Sequence, residues 1–302
     1  MSASPSLHGI FPPIPTPFGP DESVDLDALR TNLSAWNELP LAGYVVGGSN
    51  GEFVHLDDLE RTAVLETARQ MIPSDHLLIA GTGTTSTFHT IRLTEAAAES
   101  GADAVLVVAP SYYRGLMTER ALLAHYLAVA DASPLPVILY NVPANTGLDI
   151  PERAVLELAQ HDRIIGMKDS GGDLTRMGAI LAGAGPDFQV LAGSGSFILP
   201  ALAIGAVGAV PALGNIAGTQ LADLQAEFES SNLEKARTIQ LRMIEPNRAV
   251  TSRYGVPGLK AALDLLGLVG GRPRQPLLPL EPNERDRLAS ILQSAGILGG
   301  AG

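Results

Sequence analysis

Eight short apolar runs, each bounded by polar or turn residues, recur along the chain with room for a helix between successive runs. They occupy 8–15, 43–46, 77–80, 104–109, 136–140, 164–167, 189–192 and 207–210. The intervening stretches carry helical spacing and helix-start signals. Residues 26–36 open at Asp25 with Asp27 in the first turn, and Asp57-Asp58-Leu59-Glu60 precedes apolar Ala63, Val64, Ala68 and Met71. Stretches 87–100 and 118–132 follow, and Pro151 stands at a first helical position before Val155, Leu158 and Ala159. Strands alternating with helices of this length predict parallel βαβ units, and eight of them predict a closed (β/α)8 TIM barrel of the α/β class rather than a doubly wound sheet. After residue 211 no further strand is predicted; 221–228, 233–244, 258–266 and 284–295 read as helices. The expected organisation is a catalytic barrel over 1–225 and a C-terminal helical extension over 226–302, packed on the barrel.

Within this pattern Ile164-Ile165-Gly166-Met167-Lys168-Asp169-Ser170 stands out, because a buried strand seldom ends in lysine. The chain has only three lysines (Lys168, Lys235, Lys260) among 20 basic residues. An arginine can neither lose its proton nor form an imine, whereas a desolvated lysine can do both. The structural alternative is a lysine whose stem lies along the strand end and whose amine reaches solvent.

Composition narrows the partners. A net charge of −12 over 302 residues argues against sequence-independent nucleic-acid binding, which needs a basic face. With no cysteine there is neither a disulfide nor a thiolate metal site. The start, Met1-Ser2-Ala3-Ser4-Pro5, lacks the blocks of a signal peptide, and no apolar run reaches membrane-spanning length; a cytoplasmic enzyme is expected.

Barrel active sites sit at the carboxyl ends of the strands. Those ends carry Gly47-Gly48-Ser49-Asn50-Gly51-Glu52, Gly81-Thr82-Gly83, Pro110-Ser111-Tyr112-Tyr113, Tyr140-Asn141-Val142-Pro143, Lys168-Asp169, Gly193-Ser194-Gly195 and Pro211. Tyr140 and Lys168 finish consecutive strands, about 4.8 Å apart, so the hydroxyl is placed to shuttle protons for an imine formed by the amine. The Gly47–Gly51 turn exposes backbone N–H groups suited to a carboxylate or phosphate. It also matches G-x-S-x-G, making a serine hydrolase using Ser49 the rival from another reaction class; but the last histidine, His161, precedes the sixth strand, and a hydrolase needs one near the chain end. Gly193-Ser194-Gly195 stands where many barrels bind phosphate, so sugar-phosphate aldolases compete on composition alone. The six histidines are scattered without paired ligand spacing, against a metal-dependent aldolase. A non-enzymatic binding protein leaves the Lys168–Tyr140 pair unexplained.

At these residues the chain resembles the pyruvate-dependent class I lyase superfamily that includes dihydrodipicolinate synthase and N-acetylneuraminate lyase. The resemblance runs from about Gly9 to about Leu292. It rests on Gly47-Gly48-Ser49-Asn50-Gly51-Glu52, Tyr140-Asn141-Val142-Pro143 with Thr146-Gly147, Gly166-Met167-Lys168-Asp169-Ser170 and Gly258-Leu259-Lys260-Ala261-Ala262. It implies that Lys168 forms a Schiff base with pyruvate, that Tyr140 is the acid/base, and that Ser49 and Asn50 hold the pyruvyl carboxylate. It further implies that Tyr113 or Tyr112 crosses a dimer contact into a neighbouring site, that Gly193 and Val210 line the imine pocket, and that the protein is a homotetramer without metal or organic cofactor. Dihydrodipicolinate synthase carries two threonines at Ser49-Asn50 and Ser-Arg at Ala144-Asn145, that arginine anchoring the second substrate's carboxylate. Losing a bidentate clamp is not conservative. The segments Pro143–Asp149, Gly166–Asp173, Gly48–Phe53, Tyr112–Gly115 and Phe188–Ser194 resemble 4-hydroxy-2-oxoglutarate aldolase instead, which implies Asn145 and Ser194 as contacts for the non-pyruvyl end. Synthesis of dihydrodipicolinate is the alternative, and another 2-keto-3-deoxy acid aldolase a remoter one.

Overall fold

The eight runs form eight strands: β1 (Gly9–Ile10), β2 (Gly43–Val46), β3 (Leu77–Gly81), β4 (Ala104–Val108), β5 (Val137–Asn141), β6 (Ile164–Asp169), β7 (Gln189–Ala192) and β8 (Gly208–Ala209). The computed structural model describes residues 4–299. Met1–Ala3, on which the expectation about a signal peptide partly rests, and the last three residues, Gly300–Gly302, lie outside it. Between the strands run α1 (Leu26–Trp36), α2 (Asp58–Met71), α3 (Thr87–Glu99), α4 (Glu119–Ala132), α5 (Pro143–Thr146), α6 (Glu152–Leu158), α7 (Leu174–Gly183) and α8 (Ile198–Ala203). After β8 come α9 (Gly214–Glu229), α10 (Leu233–Arg242), α11 (Ile244–Arg248), α12 (Gly255–Leu265) and α13 (Pro282–Ser294).

The helices begin where their caps dictate. Asp25, Ser86, Thr118 and Asp173 each accept a backbone N–H of the following turn, and Asp57 with Glu60 makes a reciprocal capping box. Consecutive strands pair in parallel from β2 to β8, and β8 pairs with β1. The seam between β1 and β2 is closed by Ala42 N to Ile10 O (3.0 Å), Val45 N to Pro12 O (3.0 Å) and Ile14 N to Val45 O (2.9 Å). Alternation across the strands splits the core in two. Val45, Ile79, Leu106, Ile138, Ile165, Leu191 and Val210 fill the barrel with Leu7 and Phe11. Val46, Val105, Val107, Leu139 and Met167 point outward against the helices.

Three departures from the periodicity have physical causes. The first run supplies only a two-residue strand, because Pro12, Pro13 and Pro15 have no N–H for a ladder. A one-turn helix, α5, interrupts the loop after β5, started by Pro143 at its first position. The helix expected from residue 221 begins at Gly214 and is kinked at Ala217 (φ −144°, ψ 37°).

The register between β5 and β6 contains the feature that positions the lysine. Val137 pairs with Ile164, but Ile138 pairs with Gly166, so one residue, Ile165, is extra. In β5 the inner residues are Ile138 and Tyr140; past the bulge, Met167 faces out and Lys168 stands opposite Tyr140. Counted in strict alternation from outward-facing Ile164, Lys168 would point at the helices. The bulge turns it into the barrel.

The C-terminal helices are bolted to the barrel by side chains that mimic a backbone ladder. Asn32 of α1 donates to Val269 O and accepts from Val269 N, both at 2.8 Å. Asn247 of α11 accepts from Gly195 N (3.1 Å) and donates to Ser194 Oγ (3.0 Å) and Ser196 Oγ (2.7 Å). Gln240 of α10 donates to Gly195 O at 2.8 Å and accepts from Leu199 N at 2.9 Å. The β7–α8 loop is thus gripped from outside.

One buried histidine makes the fold acid-sensitive. His125 on α4 meets Thr87 Oγ1 through Nδ1 at 2.9 Å, and its Nε2 has no partner among the described residues. Burial pushes its pKa down to about 4. Because the folded pKa lies below the unfolded value of about 6.5, the unfolded chain binds the extra proton; the stability is intact above pH ~6.5 and is lost as pH falls towards 4. The full effect is on the order of 3 kcal/mol. Urea midpoints measured across this window should fall more shallowly with acid in His125→Gln than in the native chain.

Candidate active site

Lys168 and Tyr140 are cross-strand partners at the carboxyl ends of β6 and β5, both facing inward. The lysine is 3% exposed, and its Nζ lies over the Tyr140 ring, 4.1 Å from the centroid. The Tyr140 hydroxyl continues to Ser49 Oγ at 3.4 Å. An amine, a phenol and a serine hydroxyl from three strand ends therefore meet in one place.

Ser49 belongs to a single tight turn, Ser49–Gly51, that follows β2. Gly47 enters it at φ +72°, which is open to glycine and strained for other residues. Gly51 N bonds back to Gly48 O (2.9 Å) and Glu52 N to Ser49 O (3.2 Å). The backbone N–H groups of Ser49 and Asn50 have no acceptor among the described residues, which leaves two adjacent donors for a ligand carboxylate. Asn50 is half-buried beside them.

Beyond Ser49 opens a cleft of about 550 Å³, walled by Phe53, Arg61, Thr84, Ser111, Asn145 and Thr146 among others. Asn145 stands exposed on α5, its amide without a partner among the described residues. Tyr112 and Tyr113 sit just past Ser111 and are 77% and 66% exposed, their rings edge to face at 5.1 Å. Within one chain they project into solvent, away from the buried lysine.

On the β7 side, Gly193 N donates to Asp169 O at 2.7 Å. A Cβ at Gly193 would lie 2.0 Å from Ser170 Oγ, so only glycine lets the ends of β6 and β7 approach this closely. Val210 is buried in the inner core. Ser194 is half-buried and its Oγ is already engaged by Asn247 Nδ2 and by Ser196 N (3.3 Å), which ties it into the loop clamp.

The sequence places Asp169 at the end of the sixth strand as a polar boundary residue and assigns it no partner. It is the last residue of β6, buried, with a carboxylate held by Arg176 of α7, by Gly171 N (2.6 Å) and by Asn141 Nδ2 (3.4 Å). Arg176 also donates to Ile150 O; Asn141 donates to Asp149 at 2.7 Å and accepts from Ile150 N at 3.0 Å. Asn141 and Asp169 are outward-facing register partners directly after Tyr140 and Lys168. This network fixes the two strand ends from behind. Its sequence signal was Asp169 and Arg176 spaced across a Gly171-Gly172 turn.

Glu52 and Lys260 were the other residues whose place was not foreseen. They form a buried ion pair at 2.6 Å beneath the Ser49–Gly51 turn, and Glu52 also meets His55 Nδ1 at 3.3 Å. Burial pushes the Lys260 amine below its usual range, with Glu52 opposing the shift. Nearby, the Arg274 guanidinium holds the Glu60 carboxyl below the usual carboxylate range through bonds of 2.6 and 2.8 Å.

A family model described as dihydrodipicolinate synthetase matches residues 6–295. The chain belongs to the dihydrodipicolinate synthetase family. Members of this family are pyruvate-dependent class I aldolases and lyases, and this chain is an enzyme of that class. It is 35% identical to a 4-hydroxy-tetrahydrodipicolinate synthase of Syntrophus aciditrophicus, over 97% of this chain and all of that one. It is 36% identical to a protein of Emericella nidulans named probable 4-hydroxy-2-oxoglutarate aldolase, mitochondrial, over 91% of each chain. Among solved structures, a chloride-inhibited dihydrodipicolinate synthase from Acinetobacter baumannii complexed with pyruvate matches with a TM-score of 0.92 at 31% identity, covering 97% of this chain and all of that one.

The polar network behind the site is open to measurement. Arg176→Met leaves the Asp169 carboxylate buried and unpaired, and should destabilise the protein by about 3–5 kcal/mol in urea unfolding. Asp169→Asn combined with Arg176→Met should recover a substantial part of that loss.

Proposed function

We propose that the chain is a Schiff-base-forming pyruvate lyase that cleaves 4-hydroxy-2-oxoglutarate reversibly to pyruvate and glyoxylate, with Lys168 as nucleophile and Tyr140 as acid/base. The observation that carries the first half is the inward-facing, solvent-shielded Lys168 amine over the Tyr140 ring, with Ser49 next in line. In the cleavage direction the neutral amine adds to the C2 carbonyl, Tyr140 protonates the departing hydroxyl, and water leaves as the imine forms. Tyr140 then takes the proton of the C4 hydroxyl, and Ser49 extends the relay. The C3–C4 bond breaks, its electrons pass into the imine to give an enamine, and glyoxylate departs. Protonation at C3 and hydrolysis release pyruvate and restore the amine. The N–H groups of Ser49 and Asn50 hold the pyruvyl carboxylate throughout, with Gly193 and Val210 lining the pocket.

Substrate choice rests on Asn145. Its uncharged amide lies on the cleft wall where the second carbonyl compound enters, and a small oxo acid needs less reach than a longer amino aldehyde. The likeness to the Emericella protein points the same way. We assign Ser194 a lesser share in this contact, because Asn247 already engages its hydroxyl. The alternative, condensation of pyruvate with aspartate semialdehyde, is favoured by the name of the Syntrophus relative. In the proposed homotetramer, a cytoplasmic assembly, one tyrosine of the exposed pair Tyr112 and Tyr113 completes a neighbour's proton relay.

Incubation with pyruvate followed by borohydride should add one reduced pyruvyl group at Lys168, read by mass spectrometry of peptides. Lys168→Arg should give no adduct and no turnover despite keeping the charge; an unmodified Lys168 in the native chain would end the proposal. Offered glyoxylate, aspartate semialdehyde or N-acetylmannosamine with pyruvate, the enzyme should turn over glyoxylate fastest. A preference for the semialdehyde would reassign the substrate.

A further inference from the structure

Glu52 ends the Ser49–Gly51 turn in a conformation that a side-chain-bearing residue adopts at a cost, φ 55° and ψ 35°. It is one of three non-glycine residues with positive φ among the described residues, and of these it is the buried one. Backbone strain of this kind persists only where surrounding contacts impose it. Here they are specific. Glu52 Oε1 meets Lys260 Nζ at 2.6 Å, with the two side chains 1% and 0% exposed. Oε2 accepts from Arg274 N at 2.9 Å. Lys260 in turn donates to Arg272 O (3.1 Å), and its Nζ lies 4.3 Å from the centre of the Phe18 ring, which also carries the Arg274 guanidinium at 4.4 Å.

A completely buried ion pair is poor as a stabiliser, since apolar residues of like volume do as well or better. What it supplies is a fixed position. Glu52 is the joint between the Ser49–Gly51 turn and the next, Phe53–His55: its N–H closes on Ser49 O and its carbonyl accepts from His55 N at 2.8 Å. One residue earlier, Thr16 Oγ1 donates to Gly51 O at 2.8 Å. The turn is therefore held at its C-terminal end by groups that leave the Ser49 and Asn50 N–H donors unused.

We infer that Glu52 and Lys260 are positioning residues for carboxylate binding: the C-terminal helices, through Lys260, hold Glu52 in the left-handed conformation that aims the Ser49 and Asn50 N–H groups at the substrate carboxylate. This inference rests on the imine reading above and adds to it a role for the helical extension, 208 residues downstream of the turn it sets. Neither side chain touches substrate.

The test is half-saturation of borohydride-trapped imine at Lys168, compared between pyruvate and its uncharged ester methyl pyruvate. Glu52→Gln and Lys260→Met should each raise the half-saturating pyruvate concentration about tenfold, the worth of one well-aimed hydrogen bond. The value for methyl pyruvate should move less than twofold. Because the two residues act as one unit, the double variant should show about the same shift as either single one. The double variant strands no charge, so it carries the test if Lys260→Met alone does not fold. Equal shifts for both ligands, no shift for either, or singles that multiply in the double variant would each overturn the inference. A native chain that traps no pyruvate would instead sink the imine reading beneath it.

Discussion

A single extra residue in β6 decides which way the chemistry faces. With Ile165 bulged out of register against β5, the side chains that follow it change sides, and Lys168 enters the interior opposite Tyr140. Without the bulge the amine would be driven among the helices and Met167 into the barrel, exchanging an amine for a thioether. Bulges recur near active sites because they re-aim one side chain while leaving the sheet paired on either side. Everything else at the site is arranged around that reorientation.

Two charged clusters then make the arrangement rigid from opposite sides. Behind β5 and β6, Asn141, Asp169 and Arg176 occupy the outward faces of the strand ends that carry Tyr140 and Lys168. Beneath the β2 turn, Glu52, Lys260 and Arg274 join the barrel to its last helices. Each cluster buries ionised groups at a cost, and each fixes backbone rather than contacting the cleft. The β7–α8 loop has an uncharged counterpart in Asn247 and Gln240, which use amides alone to grip it. Two of the strand ends bordering the site, those of β2 and β7, are thereby held by residues that lie far from them in the chain.

Much of this was legible in the residues. Alternating apolar runs and capped helices predict the barrel, and the strand-end rule selects Ser49, Tyr140 and Lys168 from 302 positions before any contact is known. The bulge was not legible, because Ile164-Ile165-Gly166-Met167 is apolar throughout and carries no phase. The buried pairing of Asp169 was not legible for a related reason: it depends on Arg176, which comes back only after the chain turns at Gly171-Gly172. Lys260 carried the same signal as Lys168, a rare lysine in an apolar stretch, yet the two have opposite fates. One lies over an aromatic ring and stays without a carboxylate partner among the described residues; the other meets Glu52. Sequence cannot distinguish them, because the partner lies 208 residues away.

The seam of the barrel gives the enzyme an order of events. Gly9–Ile10 pairs with Gly208–Ala209, so the first strand meets its second neighbour only after nearly two hundred residues have been made and threaded through seven helical crossovers. Contacts of such sequence separation form late. Until that two-residue strand is in place the cylinder is an open sheet, and the inward face bearing Tyr140 and Lys168 is a surface instead of a chamber. A nascent or half-unfolded chain thus holds no enclosed amine, and the chamber around Lys168 arrives with the final closure of the fold.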